Sequence, residues 1–336
     1  MDQVLGTVMA KEIDEITSVV TSRLGHPPSP CSALDKIAKS RSIYTIARGS
    51  SDAVACVLSY EFMRVLGIPV TSLPPSIFSL HHGVEMQNMG VLVISQSGAS
   101  DDLVRSAATA KTRGATVIGI TNQPNSKVEA EADATIAINA GPEIAVPATK
   151  TVVGGIAAGM ALLSQIKPSY KSDTEKTVTA FQKWNGQSHP QAAQIIAGLL
   201  RAQNVYVIGR GAGLGAAQEI ALKLKECCAL HAEAYSSSEV LHGPLQLVTK
   251  PLTILLIDTG EAETQDSLNA AHTRFKEAGS SVYRVSPADF GVLDIAPAGG
   301  AALTIAMLYS IVRSVAVSLG MDPDAPNTLS KVTVTR

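Results

Sequence analysis

Residues 42–64, SIYTIARGSSDAVACVLSYEFMR, align without a gap on residues 204–226, NVYVIGRGAGLGAAQEIALKLKE. Tyr44 falls on Tyr206, Arg48 on Arg210 and Gly49 on Gly211, all at one offset. Each copy reads as an apolar strand, an Arg-Gly turn and a helix. A period this long marks duplicated domains rather than a solenoid. In the first copy the alternation continues through VLVISQSG (91–98), DDLVRSAATAKTRG (101–114) and ATVIGITN (115–122). Strands without polar alternation, separated by helices, predict parallel sheets covered on both faces. The fold class is therefore α/β, with two tandem parallel-sheet units. Each is expected to be a flavodoxin-like or Rossmann-like three-layer sandwich.

The division expected along the chain is a helical segment over 1–35, a first unit over 36–165, a connector over 166–190 and a second unit over 191–336. The connector is polar, holds the only tryptophan, and is expected to carry a helix in its middle. In the second unit the strand–turn recurs as PLTILLIDTGEAETQD (251–266). There acids replace hydroxyls in the turn, so the two copies are expected to share a fold and not a function.

Composition narrows the function classes. Lys and Arg total 27 and Asp and Glu 29, with no basic run, which excludes an electrostatic nucleic-acid face. Four cysteines, Cys31, Cys56, Cys227 and Cys228, form no CxxC pair, as expected in a reducing compartment. The N-terminal residues are acidic where a secretory signal would be basic and then apolar. The most apolar stretches, 152–163 and 301–319, read as buried helices, the first being too short to span a bilayer and the second carrying Arg313. A soluble cytoplasmic protein without membrane partners is expected. No HxxxH, HExxH or Cys/His ligand set occurs, so neither a metal nor another cofactor is expected.

The strand 91–94 ends abruptly in Ser95-Gln96-Ser97-Gly98, followed by Ser100. In an open parallel sheet, ligands sit beyond the carboxyl ends of the strands, where helices begin. Serine hydroxyls and helix N–H groups there suit an anion, and the absence of a GxxxxGK[ST] lysine favours a monophosphate over a nucleoside triphosphate. The loop alone leaves helix capping equally open. A second hydroxyl-bearing turn, Arg48-Gly49-Ser50-Ser51-Asp52, tilts the reading toward an anion site. The GRGAGLG run at 209–215 fits a close strand–helix turn better than a dinucleotide site, because no ribose-binding acid follows.

Glu219, Lys223 and Glu226 fall at i, i+4 and i+7, on one helical face. Standing alone, that spacing describes a solvated ion pair. The residues that follow, HAEAYSSSEVLHGP, lack regular periodicity and read as a loop gathering His231, Glu233, Glu239 and His242, which points to chemistry. His242 stands out because Gly-Pro follows it. His81 and His82 read equally well as a surface turn.

The motifs ISQSGAS (94–100), NAGPEIAVPATK (139–150), EIALKLKECCALHAEAYSSSEVLHGP (219–244) and DPDAPNTLSKVTV (322–334), in that order, resemble the tandem sugar isomerase (SIS) domains. The likeness is to the isomerase half of glutamine–fructose-6-phosphate aminotransferase, or glucosamine-6-phosphate synthase. It implies that Ser95, Gln96, Ser97 and Ser100 hold the phosphate. Ser50 and Ser51 would face the sugar, with Val146 and Ser330 also in contact. It further implies that Glu226 shuttles a proton with Glu219 and Lys223 in support, that His242 opens the ring, and that Lys331 meets the open-chain carbonyl. In the family that histidine comes from the neighbouring subunit, implying a homodimer with shared sites. Relatives have CGTS where this chain has Arg48-Gly49-Ser50-Ser51, and Ala where it has Ser330. No glutaminase half is read ahead of Met1, so the expected activity is that of the stand-alone deaminase: glucosamine 6-phosphate to fructose 6-phosphate and ammonia. Galactosamine 6-phosphate, a ketose–aldose substrate, a fructosamine phosphate, or a non-catalytic sensor of sugar phosphates are the alternatives.

Overall fold

The computed structural model describes residues 5–331. The first unit runs α1 (Thr7–Asp14), α2 (Ile16–Gly25), α3 (Ser32–Ala38), β1 (Ile43–Ile46), α4 (Ser50–Leu66), β2 (Val70–Ser72), α5 (Ser76–Ser79), β3 (Gly90–Ser95), α6 (Asp101–Thr112), β4 (Thr116–Thr121), α7 (Lys127–Glu131), β5 (Ala134–Ala137) and α8 (Lys150–Ile166). Helix α9 (Lys171–Trp184) follows, within the expected connector. The second unit holds α10 (Ala192–Leu200), β6 (Asn204–Gly209), α11 (Ala212–Cys228), β7 (His231–Ser236), β8 (Thr253–Ile257), α12 (Gln265–Glu277), β9 (Ser281–Val285) and α13 (Pro297–Ser318).

Two parallel sheets result, ordered β2-β1-β3-β4-β5 and β7-β6-β8-β9. All six residues of β3 are buried, which is why its sequence shows no polar alternation. Register pairs Ile43 with Gly90 and Val91 with Val117, which aligns the carboxyl ends of β1, β3 and β4 at one edge of the first unit. The repeat is exact in its turns. Gly49 has φ 57° and ψ −132°, and Gly211 has φ 56° and ψ −132°. Helices α4 and α11, which those glycines precede, are both 17 residues long.

The two units share a core. One apolar cluster includes Val57 of α4, Ile156 of α8, Ile220 of α11 and Leu308 of α13. Helix α11 lies so close to α4 that a β-carbon at Gly215 would stand 2.7 Å from the Ala53 carbonyl. Helix α13 is long and apolar enough to cross a membrane by length and composition alone, yet 78% of its most apolar window is buried inside the protein. Its first turn is tied to α4, where Glu61 Oε2 accepts from the Ala298 N–H at 3.1 Å. Trp184 of α9 is also buried, so the polar connector is docked rather than loose.

One expectation is corrected. The residues from His231 onward are not a loop throughout: His231–Ser236 form β7, parallel to β6 at the sheet edge. An edge strand is buried unevenly, so its sequence shows neither the continuous apolar run nor the strict alternation that marks interior strands.

Candidate functional site

Strands β1 and β3 are neighbours, so the turn after β1 and the loop after β3 face one another across the sheet's carboxyl edge. This is the switch point of the order, with β2 on one side and β4 on the other. Ser50 and Ser51 line one side of an open cavity of about 370 Å³, and Ser95, Gln96, Ser97 and Ser100 line the other. Val146 and Lys331, from distant parts of the chain, complete it.

The hydroxyls shape this loop and do not cap the helix behind it. Ser95 Oγ accepts from the Gly98 N–H at 3.1 Å, and Ser97 Oγ from the Ala99 N–H at 3.3 Å. Ser100 precedes α6 without any side-chain capping bond. Gly98 has φ 57°, and a β-carbon there would stand 2.2 Å from Ser126 Oγ, so only glycine fits. The lining also carries a charge that the sequence reading left out of the site: Arg48, whose Nη2 pairs with Asp102 at 2.9 Å.

On α11 the i, i+4, i+7 face is not solvated. Glu219 and Lys223 are buried, 0% and 1% exposed. Lys223 Nζ donates to Glu226 Oε2 at 2.5 Å, lies 3.5 Å from Glu219 Oε1, and donates to Ser50 Oγ at 2.9 Å. Glu219 Oε1 also accepts from the Tyr309 hydroxyl of α13 at 2.8 Å. Burial raises the Glu219 carboxyl to about 7 against the opposing pull of Lys223. Burial works against the Lys223 charge, but the two carboxylates outweigh it and raise its pKa above the usual lysine value. Glu226 is the outer member, its side chain 25% exposed. The arrangement is a fixed ammonium between an inner carboxyl near neutrality and an outer carboxylate open to solvent, joined to the cavity through Ser50.

Lys331 reaches the cavity from the C-terminal tail. Its Nζ donates to the Ala145 carbonyl at 2.6 Å and lies 3.6 Å from Glu143 Oε2. Glu143 is buried and accepts from the N–H groups of Thr149 and Thr151, at 2.9 and 3.0 Å, and from the Thr151 hydroxyl at 2.5 Å. Glu143 lies inside the 139–150 motif, yet nothing in its spacing marked it as a site residue. Its partners are its own loop and a lysine far along the chain. Ser330 is exposed beside Lys331. The last residues of the 322–334 motif, 332–334, lie outside the described residues.

The structure does not bring His242 to this cavity. It is exposed, at the start of the turn Gly243–Thr249, and its backbone N–H donates to the Glu239 carbonyl at 3.0 Å. A larger cavity of about 590 Å³ lies between α2, α8 and α9. Its charged lining is Lys171 and Glu175, 3.9 Å apart on a solvent-exposed helical turn, so it lacks the convergent groups of the smaller one.

The second unit repeats the turn and fills the space beside its glycine. A β-carbon at Gly49 would meet nothing within 4 Å, whereas one at Gly211 would stand 2.7 Å from Glu261 Oε2. The Asp258-Thr259-Gly260-Glu261 turn thus places a carboxylate over the start of α11. In the first unit the matching space is open.

Residues 36–165 and 198–286 match the SIS domain. The chain belongs to the SIS domain family. Among curated proteins, this SIS chain is 31% identical to the isomerizing glutamine–fructose-6-phosphate aminotransferase of Sulfurisphaera tokodaii over 96% of its own length and 56% of the relative's. It therefore spans about half the length of the curated relatives it matches. Among solved structures, a protein of Silicibacter pomeroyi, provisionally described as a phosphosugar isomerase, matches with 31% identity and a TM-score of 0.82. That match covers 95% of this chain and 100% of the other. Glucosamine-6-phosphate deaminase of Thermotoga maritima shares the fold, with a TM-score of 0.78 at 20% identity over 98% and 100% of the two chains.

Proposed function

We propose that this SIS chain is a phosphosugar isomerase acting on an aminosugar phosphate. It would interconvert glucosamine 6-phosphate and water with fructose 6-phosphate and ammonia. The observation that carries the reading is the Lys223–Ser50 bond, which joins a hydroxyl-lined anion cavity to a buried acid–base set. The reactions named for its relatives, an isomerizing fructose-6-phosphate aminotransferase and a glucosamine-6-phosphate deaminase, act on these same sugar phosphates.

In this reading Ser95, Gln96, Ser97 and Ser100 anchor the phosphate, with Arg48 supplying positive charge at the rim. Ser50, Ser51, Val146 and Ser330 orient the sugar. Binding at the phosphate, remote from the reacting carbons, is energy available for positioning them. Glu226 takes the C2 proton and returns it at C1, and Lys223 holds that carboxylate in place. The resulting ketimine at C2 is hydrolysed, releasing ammonia. Lys331 steadies the oxyanion that develops at the carbonyl. His242 transfers the ring-opening proton. Because it stands away from its own chain's cavity, we assign it to the cavity of a second copy, in a cytoplasmic homodimer with shared sites.

The test is release of ammonia and fructose 6-phosphate from glucosamine 6-phosphate by purified protein, with Glu226→Gln beside it. Equal release of both products, lost in the variant, supports the reading. Binding of the sugar phosphate without turnover overturns the enzyme and favours a sensor.

A further inference from the structure

Helix α1 carries a buried carboxylate that the proposed chemistry does not use. Glu12 is 3% exposed, and its Oε1 accepts from the backbone N–H groups of Ile144 and Ala145, the latter at 3.3 Å. A buried carboxylate is costly unless it is hydrogen-bonded or paired, and these two bonds are its compensation. What these bonds hold is the backbone immediately before the peptide whose carbonyl binds Lys331.

The Ala145–Val146 peptide is tied to the C-terminal tail at both of its polar atoms. Its carbonyl accepts from Lys331 Nζ at 2.6 Å, and its N–H donates to the Asp324 carbonyl at 2.8 Å. The Asp324 side chain then returns to α1, accepting from the N–H groups of Val8 at 3.0 Å and Met9 at 2.7 Å. Arg313 of α13 donates to the Gly6 carbonyl at 2.5 Å, and the Gly6 N–H donates to Asp322 at 3.3 Å. The hydrogen bonds close a ring: α1, Glu12, the 144–146 backbone, the tail, and α1 again. No member of that ring other than Lys331 and Val146 lines the cavity.

We propose that Glu12 is the positioning residue of Lys331, acting through the 144–146 backbone to fix where the ammonium stands at the cavity. The kinetic part rests on the reading of Lys331 given above, while the placement of the ammonium does not. Glu143 alone does not do this work, since it lies 3.6 Å from Nζ and its own bonds go to Thr149 and Thr151. The requirement is for an acceptor oxygen at Glu12 Oε1, not for a charge. A glutamine amide oxygen meets it and an alanine does not.

The experiment uses the full chain with Glu12→Ala, Glu12→Gln and Asp324→Ala. Lysines are reductively methylated with ¹³C-formaldehyde, and the Lys331 resonance is assigned by its loss in Lys331→Arg. Turnover of glucosamine 6-phosphate and calorimetric binding of fructose 6-phosphate are measured alongside. The expected result in Glu12→Ala is a Lys331 resonance moved to the position of exposed lysines. With it go a kcat about 10- to 100-fold lower, the scale of an ångström's misplacement, and a fructose 6-phosphate affinity within about threefold of the parent. Glu12→Gln should stay close to the parent in all three, and Asp324→Ala, which opens the ring from its other side, should follow Glu12→Ala. An unmoved Lys331 resonance in a folded Glu12→Ala protein overturns the proposal. So does a parallel loss of binding and turnover with both substitutions at Glu12, the mark of general structural damage. If the parent itself turns over no glucosamine 6-phosphate, the functional reading fails and the Lys331 resonance still decides the role of Glu12.

Discussion

Lys223 Nζ donates to Ser50 Oγ at 2.9 Å, one bond from the buried charges of the second unit to the hydroxyl-lined cavity of the first. It forms where α11 packs against the start of α4. It joins the charged face of α11 to a residue that lines the cavity.

Replacing Lys223 with Met should remove that bond and strand Glu219 without its cation. Truncating one partner of a buried pair costs about 3–5 kcal/mol. Urea unfolding should show that loss. The substituted protein should also lose turnover at temperatures where it remains folded, while a parent-like midpoint would show that the pair contributes little.

Glu219 sets a pH dependence of stability. Its carboxyl is raised in the folded protein to about 7, from an ordinary value of 4.5. The folded state therefore binds more protons than the unfolded state between those values. The stabilisation is fully present below about 4.5 and lost as pH rises through about 7, amounting to at most about 3 kcal/mol. Burial also raises Glu12 and Glu261, which adds in the same direction. Unfolding free energy measured from pH 5 to 8 should fall, and Glu219→Gln should flatten the slope. An unchanged slope in that variant would place the titration elsewhere.

Gly98→Ala tests the loop. A left-handed residue with a side chain costs about 1–2 kcal/mol, and this β-carbon would also strike Ser126. The loop should shift, and calorimetry should show fructose 6-phosphate binding weakened by about tenfold, the equivalent of about 1.4 kcal/mol. Full-strength binding would mean that the Ser95–Ser100 loop is not the phosphate cradle.

A shared site predicts complementation. Glu226→Gln and His242→Ala proteins, each inactive, should regain activity when co-expressed. With random pairing, half of the dimers are mixed and each has one intact site, giving about one quarter of parental turnover. No recovery in a mixed population confirmed by mass would place His242 in its own chain's chemistry or outside the reaction.

The strands, the repeated Gly turns and the Ser95–Ser100 loop were legible because each is a local requirement. Gly49 and Gly211 need their backbone angles whatever surrounds them, and β3 must be apolar along its whole length to sit between two helical layers. The burial of Glu219 and Lys223 was not legible. Their spacing on α11 is that of any solvated helix face, and only α4 and α13, remote in the chain, cover it. Glu12 and Glu143 escaped for the same reason. Glu12 acts on residues 144 and 145, and the spacing within α1 carries no trace of that partnership. Strand β7 was missed because an edge strand is only half buried.

The carboxylate of Glu261 above Gly211 has a consequence for counting. The repeat gives this chain two turns of the same backbone geometry, and in one of them the Glu261 carboxyl occupies the space beside the glycine. A titration with inorganic phosphate or a sugar phosphate should therefore saturate at one equivalent per chain, with a single-site isotherm. The second turn serves as a scaffold for the start of α11, and the space that is open beside Gly49 is occupied there from within by the Glu261 side chain.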